Sequence, residues 1–518
     1  MQVFELILIL LVLAIGMTAI ARRIGVPYPS LLALGGIGIA LLPSAPPFAL
    51  DPELTLALFL APVLLDAAYD TSIRDLKANW IPVTCLVLIA VGLTTIGVAC
   101  IARWMVPDMP WAAAIALGAI VAPPDAAAAT AVLRQLQLPH RLLVILEGES
   151  LLNDASSLLI YRLAVAAMAA GELKASEALP TFALSVVGSV IAGYVLGRIL
   201  LRLIPLVEDA STSIVLQFTT TFGVWILAER LELSAIVTVV VYAVTIARQA
   251  PGLTPAKQRV PSYAVWDTAT FILNVLAFML IGLQLRPIVS ALDPSQRVEY
   301  FQVAGAVLAA VVVIRILWVM SYGTVARLKF RYFGGGKWPG PTAPTVKGSL
   351  VVSWCGMRGI VTLAAAYALP VASENSTAFP YRDLILLCAF VVVAGTLIVQ
   401  GFTLRPLIVS LRLKDDREVD HEVRRAHERM ARVALAILDG DQSTESQELR
   451  REVISMLEGD QTSLDIGRSL YDQLRSRIIV EQRRTLVQMR NSDEIGDNAF
   501  HQVEERLDWA ELNAQGMK

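Results

Sequence analysis

The sequence is poor in the residues that build metal centres, disulfide frameworks and water-exposed surfaces. Its 518 residues include only four cysteines and four histidines, and none of them has the spacing of a zinc site or a redox motif. Charged residues make up 17% of the chain, against about 25% in soluble proteins. The formal net charge of −2 indicates no nucleic-acid partner. These shortages argue against a metal or redox enzyme, and we expect no cofactor.

Apolar residues are abundant instead, at 56% of the chain with a mean hydropathy of +0.61. Thirteen apolar runs approach or exceed the roughly 20 residues that span a bilayer. We expect an all-α polytopic membrane protein, with a transmembrane domain at 1–411 and a charged, helical cytoplasmic domain at 412–518. The runs cover residues 3–21, 26–43, 52–69, 79–101, 111–133, 142–169, 179–204, 211–228, 233–248, 262–285, 300–322, 349–371 and 384–405.

Lysine and arginine mark the cytoplasmic loops of membrane proteins. In this chain basic residues follow each odd-numbered run up to the eleventh, whereas the alternate loops are short and poor in them. The pattern predicts an N-terminus outside, a C-terminus in the cytoplasm and an odd number of spans. The first run ends at Arg22 and Arg23 without a cleavage site, so we expect it to be a retained span.

Two runs contain residues that break helices at their centres. The fifth contains Ala122-Pro123-Pro124-Asp125, and the twelfth contains Gly356-Met357-Arg358-Gly359. Proline removes a backbone donor and glycine adds backbone freedom, which lipid tolerates only inside protein or beside water. Two broken spans at corresponding positions indicate an inverted-repeat transporter, with spans 1–6 and 8–13 as its six-helix repeats. The alternative is a pair of kinks without a function.

Charged residues at membrane depth are costly and usually functional. In the sixth run Ser150 and Asp154 share one helix face, and Glu149 and Asn153 share the adjacent one. Static ion pairs could account for Glu149 and Arg315, but the deep acids outnumber the arginines. The deep charged residues are Asp66, Asp125, Glu149, Asp154, Arg315 and Arg358.

A buried carboxylate can bind either a proton or a hard monovalent cation. Desolvation favours its protonated form, and its oxygens suit Na⁺ or Li⁺ with help from hydroxyl groups and backbone carbonyls. Because the two ligands exclude each other, one such site can exchange them across a membrane. A channel or an ion-gated sensor on the same scaffold is the main alternative. An intramembrane enzyme is disfavoured, since we find no nucleophile–base pair.

Four motifs resemble the monovalent cation:proton antiporter-1 group, which includes bacterial sodium/proton antiporters and the eukaryotic sodium/proton exchangers. The resemblance covers roughly residues 1–410. It implies an antiporter of the bacterial inner membrane that exchanges Na⁺, or alternatively Li⁺ or K⁺, for a proton by alternating access, for pH and sodium homeostasis. We also expect a homodimer. The motifs are Gly148-Glu-Ser-Leu-Leu-Asn-Asp-Ala155, Gly356-Met-Arg-Gly359, Leu60–Tyr69 and Phe278–Gln284.

The resemblance also implies roles for single residues of the candidate site. Asp154 corresponds to the carboxylate that binds the cation and the proton in turn, and Ser150 to its companion ligand for Na⁺. Asn153 is the structural neighbour of this carboxylate. Asp66 matches an acidic residue on the cytoplasmic approach to the ion.

Two arginines and one altered motif complete what the resemblance implies. Arg315 of the eleventh span is expected to pair with Glu149, and Arg358 to lie at the broken part of the twelfth. The family usually has Thr-Asp-Pro in the other broken span, where this chain has Pro124-Asp125-Ala126. The acid is kept but the threonine ligand is lost, which leaves the preference between Na⁺ and K⁺ open.

Counting charges predicts the stoichiometry of the exchange. Three acids in the deep core, Asp125, Glu149 and Asp154, face two bases, Arg315 and Arg358. Asp66 is left out of this count because it lies at the cytoplasmic end of the third run, near Asp70, where water can reach it. The core therefore carries one net negative charge, which one Na⁺ or one H⁺ neutralises. An uncompensated charge in the membrane costs at least about 2.5–3.5 kcal/mol. We predict one-for-one, electroneutral exchange.

Overall fold

The computed structural model describes most of the chain before residue 440, and every regular element in the described residues is a helix. The chain divides into two compact units, Met1–Asp416 and Arg417–Lys518. The described residues are 2–43, 51–125, 128–129, 133, 138–170, 175–334, 343–371, 379–413, 418–439 and isolated positions beyond.

The first unit begins with seven helices, two of which contain a π-helical turn. Long apolar segments form helices in lipid because a helix satisfies its own backbone hydrogen bonds. These helices are α1 (Gln2–Ile24), α2 (Tyr28–Ala40), α3 (Pro52–Asp70), α4 (Ile73–Ala78), α5 (Trp80–Met105), α6 (Trp111–Val121) and α7 (His140–Ala170).

Ten further α-helices are described in the first unit after residue 170. Side-chain caps fix several of their starts: Asp209 accepts a hydrogen bond from the Thr212 N–H at 2.7 Å, and Thr345 accepts one from the Gly348 N–H at 3.0 Å. The ten are α8 (Ala175–Leu203), α9 (Ala210–Arg230), α10 (Ala235–Ala247), α11 (Ala250–Leu253), α12 (Ala256–Leu283), α13 (Leu285–Ala291), α14 (Arg297–Phe333), α15 (Val346–Trp354), α16 (Ile360–Tyr367) and α17 (Arg382–Leu411).

Within the described residues, nine helices are long and apolar enough to cross a membrane, and three shorter apolar helices, α2, α6 and α10, accompany them. The predicted all-helical, multi-pass membrane protein is therefore confirmed. The count of thirteen spans and their arrangement as inverted repeats stay predictions.

Apolar side chains of the first unit form two clusters. The larger joins α1 and α2 with α5–α7, α12 and α14–α17. The smaller surrounds α10 and contains Trp225, Tyr242 and Trp266. Gly36 and Gly282 let α2 and α12 approach closely, since a Cβ atom on Gly36 would overlap the carbonyl oxygen of Met279, and one on Gly282 would overlap that of Ala33. The candidate site lies on a cavity to which both clusters contribute residues.

The second unit contains α18 (Glu418–Ile437), a strongly charged helix. Arg432 and Glu428, four residues apart on its surface, form an ion pair of 3.8 Å. This helix agrees with the expected helical tail, but most residues beyond 439, and with them the rest of that expectation, lie outside the described residues.

Candidate functional site

The backbone breaks predicted in the fifth and twelfth runs are present, and they touch each other. Helix α6 ends at Val121. Helix α15 ends at Trp354, and the chain becomes helical again only at Ile360, where α16 begins. The two non-helical segments meet where the Asp125 N–H donates a hydrogen bond of 2.7 Å to the Met357 carbonyl oxygen. Gly359 packs so closely on the Asp125 carboxylate that an added Cβ atom would overlap it. A larger residue at position 359 would therefore have to displace the Asp125 side chain.

Arg358 binds the open end of α6. Its Nε and Nη2 donate hydrogen bonds of 3.0 Å each to the carbonyl oxygens of Val121 and Ala122, and its Nη1 donates to that of Gly356. The last carbonyls of a helix lack backbone partners and carry partial negative charge. The buried guanidinium therefore caps α6 and joins the two breaks.

Arg315, from α14, binds carbonyl oxygens at the end of α15, as Arg358 does at the end of α6. Its Nη1 lies 2.5 Å from Glu149 Oε1 and its Nη2 lies 2.8 Å from Glu149 Oε2. The same Nη2 also donates to the carbonyl oxygens of Val352 and Cys355, at 3.1 and 3.2 Å. Glu149 and Arg315 are buried. The pair thus ties α7 to α14 and to the end of α15.

Side chains of α7 also bind the first break. Asn153 is fully buried and donates from Nδ2 to the Pro124 carbonyl oxygen at 2.7 Å. One turn later, the Ser157 hydroxyl donates to the Ala119 carbonyl oxygen at 2.5 Å. These two bonds fix α7 against α6, so that the next face of α7 is turned to the cavity.

A cavity of about 470 Å³ lies beside the crossing. Asp154 and Ser150 line it from α7, Asp125 from the first break and Asp66 from α3. Asp154 is 9% exposed, and its oxygens accept no hydrogen bond from the described part of the chain. The structure therefore brings three carboxylates and a hydroxyl to the wall of one cavity, and these groups can bind a proton or a hard cation.

The other four candidate residues lie behind this wall. Asn153, Glu149, Arg315 and Arg358 are not among the residues that line the cavity. They bind backbone carbonyls or each other, as described above. In this arrangement they position the breaks, whereas Asp154, Ser150, Asp125 and Asp66 face the space that an ion can occupy.

The sequence analysis did not identify the residues that α12 contributes to the cavity wall. Asp267, Thr270, Asn274 and Ala277 line the cavity from this helix. Their spacing of three and four residues places them on one helix face. A stripe of polar residues inside an otherwise apolar run was the available signal.

Asp66 also lines a neighbouring cavity of about 380 Å³. Asp70 and Asp267 are shared by both cavities as well. In the second cavity the Gln217 Oε1 atom accepts hydrogen bonds from Ser262 Oγ at 3.0 Å and Trp266 Nε1 at 2.8 Å. Acidic groups thus extend from the candidate site into an adjoining space.

Comparisons with known proteins agree with the resemblance drawn from the four motifs. A family model described as "Sodium/hydrogen exchanger, transmembrane" matches residues 7–410. The chain is 30% identical over 476 residues to the "Sodium, potassium, lithium and rubidium/H(+) antiporter" of Bacillus pumilus, covering 88% of this chain and 69% of that protein. It is 29% identical over 400 residues to the "Na(+)/H(+) antiporter ApNhaP" of Aphanothece halophytica, covering 76% and 71%.

A solved structure shares the fold. The sodium proton antiporter MjNhaP1 from Methanocaldococcus jannaschii superimposes with a TM-score of 0.60 over 79% of this chain and 99% of that chain. The sequence identity is only 18%, so this match concerns the architecture alone. It places the helices described above in a known membrane-protein fold.

Proposed function

The chain belongs to the sodium/hydrogen exchanger family, and on that premise we propose that it exchanges a monovalent cation for a proton by alternating access. It is a transporter and not an enzyme. Na⁺ is the expected cation, with Li⁺ or K⁺ as alternatives, and the name of the Bacillus pumilus relative includes all three. The exchange serves pH and sodium homeostasis.

The environment of Asp154 is the observation that carries this proposal. Its carboxylate faces the cavity of about 470 Å³ and accepts no hydrogen bond from the described residues. Oxygens without fixed donors are available to a proton or to a cation, but not to both at once. Ser150 contributes a hydroxyl ligand for Na⁺, and Asp125 contributes a second carboxylate. Asn153 is an amide, so it adds no titrating group beside them.

The charges around the site support one-for-one exchange. Glu149 and Arg315 neutralise each other through two hydrogen bonds. Asp66 is set aside because it lies at the cytoplasmic end of α3, near the exposed Asp70. The remaining deep charges are those of Asp125, Asp154 and Arg358, which sum to one negative charge. A single Na⁺ or a single H⁺ cancels that charge, so both loaded states avoid the cost of moving a net charge through the low-dielectric region.

The arrangement in the membrane is part of the proposal. We propose thirteen spans, to which the described residues contribute nine long helices, three shorter ones and the broken pair α15–α16. In this proposal α6 and α15–α16 are corresponding spans of two inverted repeats. The basic loops support a cytoplasmic C-terminus. Residues 1–411 form the transport domain in the bacterial inner membrane and 412–518 a cytoplasmic domain, and the protein acts as a homodimer.

Reconstitution into vesicles with an imposed pH gradient tests the proposal. Adding Na⁺, Li⁺ or K⁺ should release protons at a saturable rate, and an imposed membrane potential should leave the initial rate unchanged. A non-saturating cation flux would indicate a channel. A rate that follows the potential would contradict electroneutral exchange and would make Asp125 the first candidate for a second titrating group. Empty vesicles and an Asp154→Asn variant are the controls.

A further inference from the structure

One hydroxyl group on the cavity wall has no role in the site described so far. Thr362 lines the cavity and is 2% exposed, yet its hydroxyl forms no hydrogen bond with any described residue. Buried hydroxyl groups are usually bonded to protein, and the Thr396 hydroxyl, for example, donates to the Val392 carbonyl oxygen at 2.8 Å. A buried hydroxyl without such a partner, on the wall of a cavity, is available to a ligand.

The position of Thr362 places it close to Asp125, one of the carboxylates of the candidate site. It lies in the first turn of α16, three residues after Gly359, which packs directly on the Asp125 carboxylate. Side chains of a helix lean toward its N-terminus, so the Thr362 side chain leans back toward the crossing. The Asp125 N–H is bonded to Met357 in the same broken span. Thr362 and Asp125 are therefore parts of one connected wall.

The altered motif Pro124-Asp125-Ala126 lacks a hydroxyl group that Thr362 can supply. A hard cation needs several oxygen ligands, and Pro124 has no side-chain oxygen to offer before Asp125. A threonine hydroxyl restores a neutral oxygen without changing the charge balance of the site. We propose that Thr362 is a neutral oxygen ligand of the transported cation and helps to determine which monovalent cation is bound. This inference rests on the proposed exchange function.

Asn274 is the competing residue on the opposite wall. It also lines the cavity and has no hydrogen-bond partner among the described residues. However, it belongs to α12 and lacks the backbone connection to Asp125 that Thr362 has through the broken span. Thr362 is thus the better candidate for a ligand that stays with the carboxylates.

Cation dependence of exchange in vesicles tests the proposal. Thr362→Val keeps the shape but removes the oxygen, and it should raise the KM for Na⁺ about fivefold to tenfold, the size expected for one lost polar contact. The ratio of the KM values for Na⁺, Li⁺ and K⁺ should change as well. Thr362→Ser should restore the wild-type values. The maximal rate and the pH dependence at saturating cation should be kept, since no titrating group changes.

Thr270 provides a matched control on the same cavity. Its hydroxyl is already donated to the Trp266 carbonyl oxygen at 2.9 Å, so Thr270→Val should leave the KM for each cation unchanged. Thermal stabilisation of the detergent-solubilised protein by added Na⁺ gives a second readout that does not depend on transport. It should weaken in Thr362→Val and not in Thr270→Val.

The outcomes separate this inference from the proposed function. If the wild type exchanges cations and Thr362→Val has the same KM values, Thr362 is not a ligand and the proposed function stands. If Asn274→Leu alone raises the KM, the ligand lies on α12 and the inference is wrong. If the wild type shows no cation-driven proton movement, the proposed function itself fails. Should the valine variant not fold, Thr362→Ala and Thr362→Ser decide the question by the same comparison.

Discussion

Glu149 and Asp154 lie five residues apart on the same helix, and their surroundings are opposite in kind. Glu149 is 1% exposed and both of its oxygens are bonded to the Arg315 guanidinium. Asp154 faces a cavity and accepts no hydrogen bond from the described residues. Charge-assisted, bidentate bonds fix a carboxylate in place, whereas an oxygen on a cavity can exchange its ligand. Two acids on one helix thus differ in their partners: Glu149 is held by an arginine, and Asp154 faces a cavity.

The two arginines extend this comparison. Among the described residues, the Arg358 side chain donates to backbone carbonyls alone, while Arg315 divides its donors between Glu149 and the end of α15. Both stabilise a helix end that a break has opened. Within the described part of the chain, Arg315 has a bonded acid that neutralises it and Arg358 has none, which leaves the Arg358 charge to offset Asp125 or Asp154.

Replacing Asp154 should have the largest effect. We expect Asp154→Asn to reduce cation/proton exchange to the level of empty vesicles, because an amide can neither titrate nor balance a cation. The measurement is the initial rate of proton release on adding Na⁺ or Li⁺. The variant should still give a monodisperse size-exclusion profile.

Asp267→Asn is a suitable control, because it changes an exposed carboxylate on the same cavity. It should keep most of the exchange activity. Appreciable coupled flux in Asp154→Asn vesicles would remove Asp154 from the central role and erase the contrast with Glu149.

Breaking the Glu149–Arg315 pair should mainly lower the stability of the folded protein. Removing one partner of a buried pair typically costs about 3–5 kcal/mol, since the other charge is left alone. We therefore expect Glu149→Gln and Arg315→Met each to lower the melting temperature in detergent. The double variant should be less damaging than the sum of the two.

A surface pair calibrates this measurement. Arg432→Met breaks the exposed ion pair with Glu428, and it should change stability by at most about 1 kcal/mol. Strict additivity of the Glu149 and Arg315 substitutions would show that the two residues act independently, contrary to the bonds described above.

Removing the second unit should have a smaller effect on exchange. All the charges of the candidate site lie in the first unit, so deletion of residues 417–518 should leave saturable exchange, with altered pH dependence or expression at most. Vesicle assays at several pH values, normalised to inserted protein, provide the test. A well-inserted but inactive truncated protein at every pH would make the second unit part of the transport machinery.

Asp75 is a third carboxylate, and it contacts His140 at the start of α7. Replacing it should have the smallest effect of the substitutions considered. Burial alone would raise the pKa of Asp75, but hydrogen bonds from His140, Arg74 and Ser72 outweigh it and hold the pKa below its usual value. The His140 Nε2 atom lies 3.1 Å from Asp75 Oδ2. A lowered pKa stabilises the folded state above the unfolded pKa of about 3.9, and this contribution is lost as pH falls through the lowered value.

We therefore expect Asp75→Asn to lower stability by at most about 1 kcal/mol near neutral pH. The difference from the wild type should vanish in acid. Melting temperatures across an acidic pH series provide the test, with Asp209→Asn, a helix cap elsewhere in the unit, for comparison. A difference that grows as pH falls would have the wrong sign for a depressed pKa.

The sequence predicted the local features of the site well. Helical spacing placed Ser150 and Asp154 on one face, and the proline and glycine clusters located both backbone breaks. The motif resemblance to the antiporter group is confirmed by the family match over residues 7–410. Spacing did not reveal the bond from Asn153 to the Pro124 carbonyl oxygen. Nor did it reveal Thr362 on the cavity wall.

Sequence by itself determined the class of the protein, the helices, the breaks and the acids near them. These follow from hydrophobicity and from periodicities of a few residues, which are local properties of the chain. The tertiary structure decided which acid is bonded and which one is open, because Arg315 reaches Glu149 across 166 positions of sequence. It also decided that the break in α6 is capped by Arg358, 237 positions away from Val121. Contacts over such separations depend on how whole helices pack, and no local pattern encodes them.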